Sequence, residues 1–200
     1  MSPREERRAR LLEAARAVVL RFGYRKAGLE DVAREAGVSR ATVYNYFPNK
    51  EMLFRAIVAE ELERLRLAVA EAVDLRAEPA AQLLSYVRAR GAQLERIRSF
   101  YVLRLNVGRD VLPIVEDELG ALRAQERAFL EAILRAGIAR GSFRSVEPGA
   151  LAAALAAAFR GLEEEFVFEH GQGSAAGSEL LLRTLLEGLS RPPVPSEEQP

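Results

Sequence analysis

"LEDVAREAGVSRATVYNYF", residues Leu29–Phe47, decides how this chain is read. Its first part carries Val32, Ala33 and Ala36 at helical spacing and stops at Gly37, which takes a left-handed backbone at no steric cost. Ser39 is a strong N-cap for a second short helix, Arg40 to about Phe47, and Pro48 makes its continuation costly. Two short helices joined by "AGVS" (36–39) form a helix-turn-helix. Val32, Val38, Val43 and Phe47 suit the small core between these helices and the one before, and Ala33 is small where two helices cross closely.

That leaves large polar groups on a helix too short to bury them. In a DNA major groove each has a task. Arg40 can fork onto guanine, Thr42 can meet a base or a thymine methyl, and Asn45 can pair an adenine edge or hold a phosphate. Tyr44 and Tyr46 offer hydroxyls to the backbone, although Tyr46 serves equally as a half-buried packing residue. Lys50 opens the next helix, where a cation opposes the helix dipole, and a nearby phosphate would explain it. Ser39, Arg40, Thr42, Tyr44, Asn45, Tyr46 and Lys50 are therefore the candidate DNA-binding residues.

Charge agrees with this placement. The 200 residues hold 29 basic and 29 acidic groups, yet residues 1–50 carry a net +5 and the rest a net −5. A basic end on an acidic body is what a polyanion-binding head would show, and chance clustering in an Arg-rich chain would show it too. Arg4, Arg7, Arg8 and Arg10 alternate with Glu5 and Glu6, as a solvated helix start does. The chain has no cysteine, so disulfides and thiolate chemistry are excluded. The N-terminus lacks the apolar core of a signal peptide, and no apolar run nears the roughly 18 residues of a membrane span. A cytoplasmic protein with no membrane partner is expected.

Almost everything else reads as helix. Leu11, Ala15, Val18 and Phe22 form one apolar stripe, with Leu12 and Val19 beside it, and Gly23 can supply a left-handed stop. Asn49 can cap a long helix to about Val73, and "DLRAEP" (74–79) is the next break. Helices are predicted at about 80–97, 99–107, 115–140, 148–169 and 179–190, with "HGQGSAAGS" (170–178) a flexible loop. The expected fold is all-α: an N-terminal three-helix helix-turn-helix domain over 1–48, a helical bundle over 49–190, and a disordered Pro-rich tail over 191–200.

Residues 7–53 resemble the N-terminal domain of the TetR family of bacterial one-component transcription regulators. The resemblance lies in "LLEAARAVVLRFGY" (11–24), "LEDVAREAGVSRATVYNYF" (29–47) and "NKEML" (49–53), and above all in the order Gly23-Tyr24, Ala33, Ala36-Gly37-Val38-Ser39, Tyr44, Tyr46-Phe47, Lys50. It implies phosphate contacts from Tyr44 and Lys50 and base reading by Arg40, Thr42 and Asn45. Where many members have a threonine pair before the second helix, this chain has Ala27-Gly28, so a hydroxyl contact is absent, and Arg25 and Lys26 are at hand to replace it.

For the body the resemblance implies a ligand pocket in a helical bundle whose last two helices pack on a second subunit. "GALAAALAAAFRGLEEEF" (149–166) is apolar or small nearly all round and needs cover on more than one face. Leu151, Leu155, Leu162 and Phe166 are assigned to the subunit's own core, and Ala152, Ala156, Phe159 and Arg160, with Leu181 and Leu185, to a homodimer interface; burial wholly within one subunit is the alternative. "SFYVLRLNVGRDVLP" (99–113) gathers aromatics and cations about a broken helix. Arg104, Asn106 and Arg109 are candidate polar anchors and Tyr86, Phe100, Tyr101, Phe129, Phe159 and Phe166 candidate pocket walls, against the alternative of plain core and surface. Length and helix layout resemble members that bind fatty acyl-CoA thioesters and repress fat-breakdown genes. His170, the single histidine, sits beside a glycine loop as a solvated residue, and no metal, cofactor or catalytic set is discernible.

The expected function is a ligand-responsive repressor: a homodimer on a palindromic double-stranded DNA operator, released by an apolar or acyl-CoA-like small molecule. The rivals are a helical enzyme or sensor with an incidental helix-turn-helix, a sequence-independent DNA-coating protein, and an activator.

Overall fold

The computed structural model describes residues 2–101, 112–168 and 174–190, with side chains described over 2–93, 113–162 and 176–190. Eight helices occupy them: α1 Pro3–Lys26, α2 Leu29–Ala36, α3 Arg40–Tyr46, α4 Lys50–Ala72, α5 Pro79–Tyr101, α6 Leu112–Ala139, α7 Pro148–Phe168 and α8 Ser174–Leu189. Among the described residues there is no strand; a lone antiparallel bridge joins Phe143 to Ser190. The fold is all-α.

The chain forms two compact units, one of residues 1–67 with 93–122, the other of 68–92 with 123–200. In the first, Leu11, Leu12, Ala15, Val18 and Val19 of α1 meet Val32 and Ala33 of α2, Val43 and Phe47 around α3, and Leu53, Phe54, Ile57 and Val58 of α4. Val115 of α6 joins this core. The helix starts are fixed by short polar contacts. Ser2 and Glu5 cap α1 reciprocally, at 2.6 and 3.3 Å. Asn49 Oδ1 accepts the Met52 amide at 2.8 Å at the head of α4. Buried Arg16 ties α1 to α4 through Glu60 and Glu61, its Nε 3.0 Å from the Glu61 carboxylate.

The second unit is built on Leu83, Tyr86 and Val87 of α5, Leu130, Ile133 and Leu134 of α6, Phe143 of the α6–α7 connection, Ala152, Leu155 and Phe159 of α7, and Leu182, Leu186 and Leu189 of α8. Arg144 donates its amide to the Leu189 carbonyl at 2.9 Å, which closes the α6–α7 connection onto the end of α8. Arg90, buried, donates to the Tyr86 hydroxyl at 3.0 Å and pairs with Glu126.

Several expectations are corrected. Phe22 does not extend the apolar stripe of α1 but is 44% exposed, and α1 bends at Gly23 (φ 76°, ψ 162°) and resumes to Lys26 rather than ending there. No break falls at 97–99: α5 runs unbroken to Tyr101, no residue there being a helix breaker, and the rest of the predicted 99–107 helix lies outside the described residues. Residues 174–178 are the first turns of α8, not loop; two alanines favour helix and buried Ser178 leads into buried Leu182. Ala152 has no surface to offer a second copy, since it is fully buried within its own unit. Phe159, also buried, fills the same core.

Candidate nucleic-acid interface

Three local features set the geometry of α2 and α3. Gly37 sits at φ 66° and ψ 35°, the left-handed C-cap, and Val38 donates to the Ala33 carbonyl at 3.0 Å across the turn. Ser39 Oγ accepts the Thr42 amide at 3.1 Å and shares a 2.8 Å hydrogen bond with the Thr42 hydroxyl. Val43, with no exposed surface, and Phe47 bolt α3 to the core. With one side buried, α3 turns its remaining residues outward. Ser39, Arg40, Tyr44 and Asn45 are exposed, and Thr42 is half-buried. Tyr44 keeps 47% of its surface. Arg40 pairs with Glu30 of α2, its Nη1 2.5 Å from Glu30 Oε1.

Tyr46 is half-buried, packed against the core with its ring 6.5 Å from that of Phe47. Lys50 has a role that spacing does not reveal. Its ammonium donates to the Arg25 carbonyl at 2.9 Å and lies 4.4 Å from the centre of the Tyr24 ring. Burial against these groups lowers its pKa. A cation there complements the carbonyl end of α1, so it pins that terminus whether or not a phosphate is present.

Gly28 is the N-cap of α2 and has no side chain to offer; Asp31 supplies the bond instead, its Oδ2 accepting the Gly28 amide at 3.1 Å. The pattern of a glycine followed three residues later by an acid was legible in the sequence and passed over. Glu30 was passed over as well, because its partner Arg40 lies in a different helix and no periodicity couples them.

The other candidates are dispersed. Tyr86 is buried, its ring 5.8 Å from Phe129 and 6.4 Å from Phe159. Arg104, Asn106 and Arg109 lie outside the described residues, as do the side chains of Phe100, Tyr101 and Phe166. Arg160 is exposed, Ala156 and Leu185 are half-buried against the core, and Leu181 is 41% exposed. His170 and the 191–200 tail also lie outside the described residues. Among the described residues no cluster of three or more side chains could hold a metal, and no helix is long and apolar enough to cross a membrane.

A capped, core-anchored helix with its polar side free, set after a left-handed turn, defines a helix-turn-helix protein. A family model of bacterial regulatory proteins, tetR family, matches residues 11–57, the segment that builds this core. The HTH-type transcriptional activator FasR of Mycolicibacterium smegmatis is 34% identical over 87 residues, 44% of this chain and 40% of its own. The HTH-type transcriptional repressor KstR of Rhodococcus jostii is 39% identical over 61 residues, 30% of this chain and 29% of its own. The chain thus spans well under half the length of these relatives. A transcriptional regulator of Cytophaga hutchinsonii has the same fold, with a TM-score of 0.74 over 90% of this chain and 97% of its own, at 17% identity. Residues 11–57 are thus similar to the DNA-binding segment of the tetR family of bacterial regulatory proteins.

Proposed function

We propose that the chain is a ligand-responsive transcriptional repressor that binds a palindromic operator as a homodimer. The observation that carries this is the α2–turn–α3 unit, whose caps and buried Val43 leave Arg40, Tyr44 and Asn45 exposed together on one short helix. Residues 1–48 are assigned to DNA binding and 49–190 to effector binding and dimerisation. Arg40, Thr42 and Asn45 read bases. Ser39, Tyr44, Tyr46 and Lys50 contact the phosphate backbone, with Ser39 and Lys50 also fixing the ends of helices. No catalytic reaction is assigned to it.

Support for the dimer comes from the outer side of the last helices. Because Ala152, Leu155 and Phe159 point into their own core, Ala153, Ala154, Ala157 and Gly161 are the exposed side of α7. On α8, Leu180 is 67% exposed beside Leu181. Small residues on one helix and two leucines on the next suit close packing against a copy of themselves. Arg160 stands at the edge of that face.

For the effector we retain an apolar or acyl-CoA-like molecule, with Tyr86, Phe129 and Phe159 as described parts of an apolar wall. α4, α5 and α6 each begin in one unit and end in the other, so they are the covalent routes by which effector binding biases the DNA-binding end. The effect is bounded by the effector's differential affinity for the two states. The activator reading is favoured by the match to FasR, as the repressor reading is by the match to KstR. In vitro transcription from a promoter carrying the selected site separates them. Repression relieved by a saturating long-chain acyl-CoA, with a raised thermal midpoint, is expected. No thermal shift would sink the acyl-CoA effector, and stimulation of transcription would make the protein an activator.

A further inference from the structure

We infer that Glu30 positions Arg40, holding one edge of the guanidinium so that the other is presented to a base. This rests on the reading of α3 as the recognition helix. The two acids that open α2 have different duties. Both oxygens of Asp31 are engaged within α2, Oδ2 by the Gly28 amide at 3.1 Å and Oδ1 by Arg34 at 3.2 Å. Glu30 takes no part in that cap. It reaches across the turn to Arg40 Nη1, with both side chains more than half exposed.

An arginine reads guanine through two parallel N–H groups on a single edge. The contact through Nη1 leaves the Nε/Nη2 edge as an intact fork. Arg40 is the first residue of α3, where its backbone is fixed by the Ser39 cap, but its long side chain has rotamer freedom to lose on binding. Glu30 removes part of that freedom beforehand. It also cancels much of Arg40's charge at long range. Attraction to phosphates depends on charge alone, whereas the fork to a base depends on geometry. The pair therefore trades sequence-independent affinity for discrimination.

The test measures binding of wild type, E30Q, E30D and R40A, each as the full chain, at fixed salt. The duplexes are the selected site, its single-base variants at the position where R40A loses preference, and a random sequence. The expected loss of discrimination for E30Q is about 2- to 5-fold at that position, the scale set by an exposed ion pair, together with tighter binding to the random duplex. E30D, which keeps the charge on a shorter arm, should restore weak attraction to random DNA without restoring full discrimination. Unchanged discrimination in E30Q, or a uniform gain on every duplex, would overturn the inference while leaving α3 as the reading helix. Should R40A itself discriminate as well as wild type at every position, the recognition reading falls, and Glu30's role with it. Unaltered thermal midpoints for E30Q and R40A exclude unfolding as the cause.

Discussion

Arg40 and Lys50 look alike to charge counting and differ in what they touch. Arg40 is exposed and pairs with a surface carboxylate, so truncating it costs the free protein little. Arg40→Ala should relax base preference at one position per half-site by about 1–3 kcal/mol, read by competition between duplexes. Lys50 is held by a carbonyl and an aromatic face. Lys50→Ala should lower stability without DNA by about 1 kcal/mol, read by denaturant unfolding, and weaken binding to all sequences alike. Equal stability of Lys50→Ala and wild type would remove its pinning role. The residues of α3 were legible in the sequence because the helix is short and its caps are local. The partners of Lys50 and Arg40 were not, since each contact joins residues brought together only by tertiary packing.

Elements follow the same division. α2 and α3 are bounded by Gly37, Ser39 and Pro48, whose conformational preferences act over one or two residues, and sequence placed both helices to within a residue. α7 was harder. Its alanine-rich surface gives no contrast between faces, so the stripe through Ala152 and Phe159 was assigned to a partner when it fills the subunit's own core. The start of α8 was hidden by glycines and serines that read as loop. Packing between elements also depends on one close approach: a Cβ at Gly137 would lie 2.2 Å from the Phe143 ring. Gly137→Ala should therefore destabilise by about 1–3 kcal/mol, measured by thermal or denaturant unfolding. Between α5 and α8, Glu179 accepts hydrogen bonds from Arg88 and Arg183, which pull its pKa from 4.5 to about 2. A carboxylate so lowered adds stability above pH 4.5 that is lost as pH falls toward 2. Glu179→Gln should accordingly have the lower thermal midpoint near neutral pH, and the gap should close across that interval.

At the scale of the molecule, two reading heads are useful only if two chains associate. Ala157→Arg or Leu181→Glu would place a charge on the outer face of α7 or α8, where each wild-type residue is exposed in the single chain. Sedimentation should then show monomers that remain folded but bind a palindrome far more weakly, since both half-sites must be held at once. A dimer unaffected by either change would place the interface elsewhere. The charge division between the basic first fifty residues and the acidic remainder fits one or a few specific sites better than DNA coating, which needs a basic whole. The most direct test is selection of bound duplexes from a random pool by the purified chain at physiological salt. The account predicts enrichment of an inverted repeat with half-sites about one helical turn or a multiple apart. Recovery of DNA with no enriched sequence, by a chain shown to be folded, dimeric and free of bound small molecules, would contradict it.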